Sequence, residues 1–340
     1  MGGTVRASQS ASPQDQELPV HRRQFIVGLG SLVALPTLPD SGRLGMSDIA
    51  RIRNAENQLL QLDDRYGSEK LAGVAGHYID HIEGAMRRCT FGGTVQTHLH
   101  RTLGEMAAMA GWLCYDSDRH NDARRWWDTG LRYALLARSP ELQARIWSYM
   151  SRQAVDLGHA SEAVAIARAA LDATRSRRHA HLSALLHARV ALGLSALGEA
   201  SRYGQAMHRA EQAIDRETDV TTPPWLAFVG HAEVLAQRSL CEDQLGAHRR
   251  AVEVRREVVA LRGPDFQRNR VGDHVHLAEC LLSAGDPEAA LAAGHQALDF
   301  LPEVHSPRWT ARLRRFEGKT LALSVSGAEG FADRYRMVSA

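Results

Sequence analysis

Ser151-Arg152-Gln153-Ala154-Val155-Asp156-Leu157-Gly158-His159-Ala160-Ser161-Glu162-Ala163 decides the fold: it reads as the end of one helix, a turn at Gly158 and the start of a second helix. Ser151 lies seven residues before the glycine, Ala163 five after it and Ala170 twelve after it. Two antiparallel helices approach closely only where small side chains occupy the crossing, and these offsets put small residues there on both arms of a hairpin.

The same offsets recur along the chain. Gly198, Gly246 and Gly285 repeat the turn position, and Asp118 takes it in an earlier copy. Five residues on stand Ala123, Tyr203, Ala251 and Ala290; twelve on stand Gly130, Ala210, Val258 and Ala297. Seven residues back stand Gly111, Ala191, Ser239 and Ala278. The turns are 40, 40, 48 and 39 residues apart by subtraction, one helical hairpin each. The expected fold is all-α, a right-handed superhelical solenoid of antiparallel helix pairs.

Working outward, five hairpins are expected over 94–302, with helices at 95–116 and 120–137, 141–157 and 160–176, 180–197 and 201–216, 225–245 and 247–261, and 270–284 and 287–300. A polar loop from Thr218 to Pro224 accounts for the longer interval, and Gly263-Pro264 and Pro302 stop the later hairpins. A capping hairpin is expected over 47–93, with Ser47 as an N-cap and Gly67 as a C-cap, and capping helices over 303–340.

The 41 basic and 39 acidic residues nearly cancel, and no long basic run is present, which disfavours nucleic-acid binding by this chain alone. The hydrophobic fraction of 44% and charged fraction of 24% suit a chain with a packed core. Cys89, Cys114, Cys241 and Cys280 form no CxxC pair and sit among apolar neighbours, so they are expected as free, mostly buried thiols of a reducing compartment.

Residues 1–20 carry no apolar period and are expected to be disordered. Residues 21–46 begin His21-Arg22-Arg23-Gln24-Phe25-Ile26-Val27-Gly28 and continue apolar to Pro36 and Pro39, a pattern similar to a twin-arginine export signal. An apolar linker docking on the first helices is the preferred reading, because the run is short and lacks a clear small-x-small cleavage site. The expected location is therefore the cytoplasm, with export as the alternative; the run is too short to span a bilayer.

The turn glycines, the small residues around them, and the aromatic Trp127 and Trp147 give the chain its likeness to tetratricopeptide-repeat proteins, from which His187 and His274 depart at the first aromatic position. Over residues 21 to about 320 the chain also resembles the helical-repeat portion of actinobacterial helix-turn-helix (Xre-type) transcriptional regulators. Segments that carry this are Met109-Ala110-Gly111-Trp112-Leu113-Cys114-Tyr115-Asp116 and Pro224-Trp225-Leu226-Ala227-Phe228. The resemblance implies a regulatory or sensing protein. Only about twenty polar residues precede the arginine-phenylalanine segment, so direct DNA binding is not expected.

In a stacked array the first helices of the hairpins line the concave face. By register Glu105, Trp112, Tyr115 and Asp116 belong there from one hairpin, and Arg145, Ser148, Arg152 and Asp156 from the next; Leu185, Leu192, Glu233 and Asp243 continue the groove. Arg145 and Arg152 share a face two turns apart and suit a peptide carboxylate, with Trp112 and Tyr115 beside them. The alternative is that these arginines pair with Asp116 and Asp156. His77 and His81 stand at i, i+4, but no HExxH glutamate accompanies them among 17 histidines, so neither a metal nor a cofactor is expected. Without a GxSxG motif or an activated cysteine, no enzyme is expected. The sequence points to a non-catalytic regulatory or scaffold protein that binds a peptide or protein partner in its groove, without membrane association, and as a possible homodimer. A salt-dependent mobility shift would instead favour a nucleic-acid-binding regulator.

Overall fold

In the computed structural model the described residues are 36–66, 68, 71–176, 179–216, 221–304 and 306–339. The readings of 1–20 as disordered and of residues 21–35 as linker or export signal, and the Gly67 C-cap, lie outside them.

Fourteen α-helices make up about four fifths of the described chain. The N-terminal pair is α1 (Met46–Tyr66) and α2 (Ala72–Arg88). Five hairpins follow: α3 (Gly93–Asp116) with α4 (His120–Leu136), α5 (Pro140–Asp156) with α6 (Ala160–Ala173), α7 (Ala180–Ala196) with α8 (Ala200–Ile214), α9 (His231–Gln244) with α10 (His248–Leu261), and α11 (Gln267–Ser283) with α12 (Pro287–Phe300). Helices α13 (Pro307–Ala322) and α14 (Ala328–Ser339) close the chain.

The turns are alike because the backbone demands the same thing at each. Asp118, Gly158, Gly198, Gly246 and Gly285 all have φ between 60° and 83°, the left-handed region that glycine enters at least cost. The residue after each turn donates its N–H five residues back, at 2.7 to 3.0 Å, from Arg119 to Cys114 through to Asp286 to Leu281, which satisfies a carbonyl the helix end would otherwise orphan. Helices α5 and α12 start on proline, and the Ser139 and Asp286 side chains accept from Leu142 N and Ala289 N.

The small residues are buried where the helices of each pair meet. Ala123, Ala163, Ala251 and Ala290 are inaccessible, as are Ala170, Ala210, Val258 and Ala297 in the second register. In two copies the seven-before position makes the same bond: Ser151 Oγ donates to Ala163 O, and Ser239 Oγ to Ala251 O, each at 2.9 Å. Gly111 leaves room for the fully buried Trp127, whose ring a Cβ at that position would meet at 2.3 Å.

Each hairpin packs on the next, and the first helices α3, α5, α7, α9, α11 and α13 form an inner row of neighbours. Helix α1 does not extend this row. It packs on α3, on α11 and on the short 3-10 turn Pro224–Leu226, and so lies across the inner face.

Three details depart from the sequence reading. Ser47, expected as an N-cap, lies inside α1, which begins at Met46. The helix expected from 225 starts at His231: Pro224–Leu226 makes only a 3-10 turn, Leu226 and Val229 are buried, and Gly230 is extended where α9 is capped. Gly42–Arg43 and Cys89–Thr90 also form a two-residue parallel pair, which ties the chain before α1 to the end of α2.

Candidate functional site

Nine residues before the five turns stand Met109, Tyr149, Arg189, Gln237 and His276, one on each first helix. All five line a single cavity of about 110 Å³. One side chain from each hairpin meets there because the first helices stack in register. Helix α1 adds Leu60 and Asp63, the 3-10 turn adds Trp225, and α13 adds Arg308 and Trp309. Pockets that hold whole drug-sized molecules run to roughly 300–1,000 Å³. This one has room for a small molecule or the end of a chain.

The wall is rich in arginine: Arg152, Arg189, Arg255, Arg262, Arg268 and Arg308 line it, against the carboxylates Asp63, Glu233 and Asp273. Buried guanidinium groups need partners, and five of the six have one. Asp273 takes Arg255 at 3.0 Å and Arg262 at 2.7 Å, and Glu233 stands 3.5 Å from Arg262. Asp63 takes Arg268 and accepts from Trp112 Nε1 at 3.1 Å. Asp116 stands 3.2 Å from Arg308, and Asp156 stands 3.4 Å from Arg152.

Arg189 is the exception. It is 4% exposed, its Nε donates to the Ser148 carbonyl at 3.2 Å, and its Nη1 has no acceptor. No described carboxylate forms an ion pair with it. Burial, with Arg152 nearby, lowers its pKa to about 10, so it still carries its charge at neutral pH. Burial acts against Arg152 too, but Asp156 outweighs it and holds that guanidinium above its usual range. Asp156 is held well below the carboxylate range: burial would raise it, but Arg152 and Arg308 prevail.

The eight residues singled out from the sequence divide between the cavity and its supports. Trp112 and Arg152 line the cavity. Tyr115, Asp116 and Asp156 stand behind it: the Tyr115 hydroxyl donates to Asp156 and accepts from Arg308 Nη1, while Ser68 Oγ donates to Asp116 at 2.9 Å. Arg145 is 2% exposed; its Nη1 donates to Glu56 of α1 at 3.2 Å and its Nε to Tyr149 Oη at 3.2 Å, while its Nη2 is buried without an acceptor. Ser148 bonds the Arg145 carbonyl, and Glu105 pairs with the exposed Arg101. Of the residues named as continuing the groove, Glu233 lines the cavity, and Asp243 pairs with His248.

Sequence reasoning missed Arg189, Asp63, Arg268, Arg308 and Trp309. The register nine before each turn would have supplied Arg189, but Met, Tyr, Arg, Gln and His share no chemical type. Asp63, Arg268 and Arg308 come from outside the repeat register, and only the fold brings them to the cavity.

In the histidine pair, His77 Nδ1 lies 2.8 Å from Gly73 O and His81 Nε2 lies 3.0 Å from Pro36 O. Among the described residues no three His, Cys, Asp or Glu side chains converge as metal ligands, and no helix is long and apolar enough to cross a membrane. No protein-family model matches the chain, and no characterised protein compared with it is similar in sequence.

Proposed function

We propose that this chain is a non-catalytic regulatory or scaffold module whose hairpins form a right-handed, tetratricopeptide-like superhelix, and which holds a peptide or protein segment on its inner face. The observation that carries the reading is the cavity itself, built from one equivalent position in each of five hairpins. Equivalent positions of stacked hairpins fall on one inner face, and the inner face is the surface such arrays use for binding. The surrounding carboxylates are committed to arginines. The cavity therefore offers charge and position, not proton transfer. The likeness to the repeat portion of actinobacterial regulators suggests transcriptional or developmental control in the cytoplasm.

The test is selection of peptides from a display library on the purified full chain, followed by binding to two variants. Gln237→Trp fills the cavity; Leu136→Ala alters the exposed outer face of α4, where Leu136 is 59% accessible. Selected peptides should lose at least about tenfold in affinity with the first variant and nothing with the second. The opposite pattern, in variants of unchanged helicity, would place binding on the outer surface and overturn the proposal.

A further inference from the structure

The balance of charge at the cavity specifies an occupant more narrowly. Its six lining arginines face five carboxylates, namely Asp63, Glu233 and Asp273 in the wall and Asp116 and Asp156 behind it. Six minus five leaves one positive charge, and the arginine without a carboxylate is Arg189. A residual charge of one suits a carboxylate; a phosphate monoester would bring a second negative charge into a wall that already holds its own acids.

The unsatisfied hydrogen-bonding groups complete the pattern. Arg189 Nη1 and Trp309 Nε1 are buried donors in the cavity wall without acceptors, and Gln237 Oε1 is a buried acceptor without a donor. Each such atom costs desolvation with no return, and these three share the wall of one cavity with Arg308 Nε, which lies 3.2 Å from Asp116 without a hydrogen bond; other buried orphans, such as those of His179 and His274, lie away from it. Arg189 on α7 and Gln237 on α9 hold the same register on packed neighbouring helices, and both line the cavity. Because Ser148 O occupies Nε of Arg189, Nη1 is left for an incoming oxygen. Trp225 and Trp309 supply flat apolar wall.

We propose that Arg189 and Gln237 are the receptor for an acylamino-acid carboxylate: the carboxylate lies on Arg189 and the adjacent N–H donates to Gln237 Oε1. This rests on the cavity being a binding site, as proposed above. The chemistry has two possible sources, a free N-acylamino acid or the C-terminal residue of a peptide.

Calorimetric titration of the full-length protein tests it with five probes: N-acetylphenylalanine, its neutral amide, 3-phenylpropionate, phenyl phosphate, and the tetrapeptide Ala-Ala-Ala-Phe as free acid. N-acetylphenylalanine should bind at least about tenfold more tightly than its amide or phenyl phosphate, and more tightly than 3-phenylpropionate, which lacks the N–H. Arg189→Gln should abolish the preference for acid over amide, and Gln237→Leu should bring N-acetylphenylalanine down to the level of 3-phenylpropionate. Binding of the tetrapeptide identifies a chain end as the source; binding of N-acetylphenylalanine alone identifies the free acid.

Equal binding of acid and amide, tighter binding of phenyl phosphate, or no binding of any probe would overturn the proposal. The acid-versus-amide comparison is made on wild-type protein and does not depend on either variant folding. If amidated peptides are captured and Gln237→Trp blocks them, the groove stands while the carboxylate assignment falls. If free acids bind and no peptide is captured, the site stands while the peptide partner falls.

Discussion

Asp63 on α1 and Arg268 on α11 are 205 residues apart and share a buried ion pair beneath the indole of Trp112, whose Nε1 also donates to Asp63. Together with Arg308 against Asp116 and Tyr115, the pair fastens the N-terminal helix and the early hairpins to the last ones. In an open array each hairpin touches only its neighbours. Here the far ends are joined, so the array should unfold more cooperatively than a linear stack.

Asp63→Ala should therefore cost up to about 3–5 kcal/mol, because it removes one carboxylate that the buried Arg268 guanidinium and the Trp112 N–H share. The double variant Asp63→Leu with Arg268→Met should recover most of that loss, since it removes both charges. Urea unfolding measures both. A loss below about 1 kcal/mol for the single variant would show the joint to be a solvated surface contact.

Ser151 and Ser239 occupy equivalent positions yet should respond differently to truncation. Each hydroxyl donates across its hairpin to an alanine carbonyl, but Ser239 Oγ also accepts from Arg255 Nε at 3.2 Å. Ser151→Ala removes one net hydrogen bond, about 1 kcal/mol; Ser239→Ala also strands a buried guanidinium N–H and should cost about 2–3 kcal/mol. Equal losses on chemical denaturation would mean that the Arg255 contact contributes nothing.

Much of this architecture was legible because its local requirements are severe. Gly158, Gly198, Gly246 and Gly285 stand where φ is positive, and the alanines stand where two helix axes cross, so both kinds of position select residue types. The place of α1 was not legible: contacts such as Asp63 with Arg268 carry no local period. Arg145 and Arg152 were correctly placed on first helices, but their counter-charges were not all foreseen. Asp156 does pair with Arg152, whereas Arg145 takes Glu56 from α1 and Asp116 takes Arg308 from α13. Nor could the start of α9 be read, because apolar spacing from Trp225 onward looks helical while the chain is extended at Gly230, where the helix is capped.

The four cysteines are all free and buried, as the sequence led one to expect. Burial pushes the Cys241 and Cys280 thiols up to about 12 and raises Cys114 as well, so little reactive thiolate forms at neutral pH. Treatment of the folded protein with a disulfide reagent such as dithionitrobenzoate should modify Cys89 at most within minutes. All four should react after unfolding in guanidinium. Rapid modification of Cys241 or Cys280 would mean that the inner helices open readily.

Two glutamates, the buried Glu56 and the partly buried Glu279, should give stability profiles of opposite sign. Burial acts to raise Glu279, but the Arg312 fork at 2.7 and 3.2 Å outweighs it and lowers the pKa from 4.5 to about 2. The unfolded chain then binds the proton first as pH falls, so the stability this carboxylate contributes is complete above about pH 4.5 and is lost toward pH 2. Glu56 is displaced the other way, to about 7, by burial and the nearby Glu105 against the pull of Arg145. Between pH 4.5 and 7 the folded chain keeps a proton that the unfolded chain releases, so stability falls as pH rises. Glu279→Gln should cost about 3 kcal/mol at pH 7 and close to nothing at pH 2, whereas Glu56→Gln should gain on the wild type by up to about 3 kcal/mol between pH 4.5 and 7. Urea unfolding across this range, with each variant referred to wild type at the same pH, separates the two. Profiles that slope the same way would show that Arg145 holds Glu56 ionised as firmly as Arg312 holds Glu279.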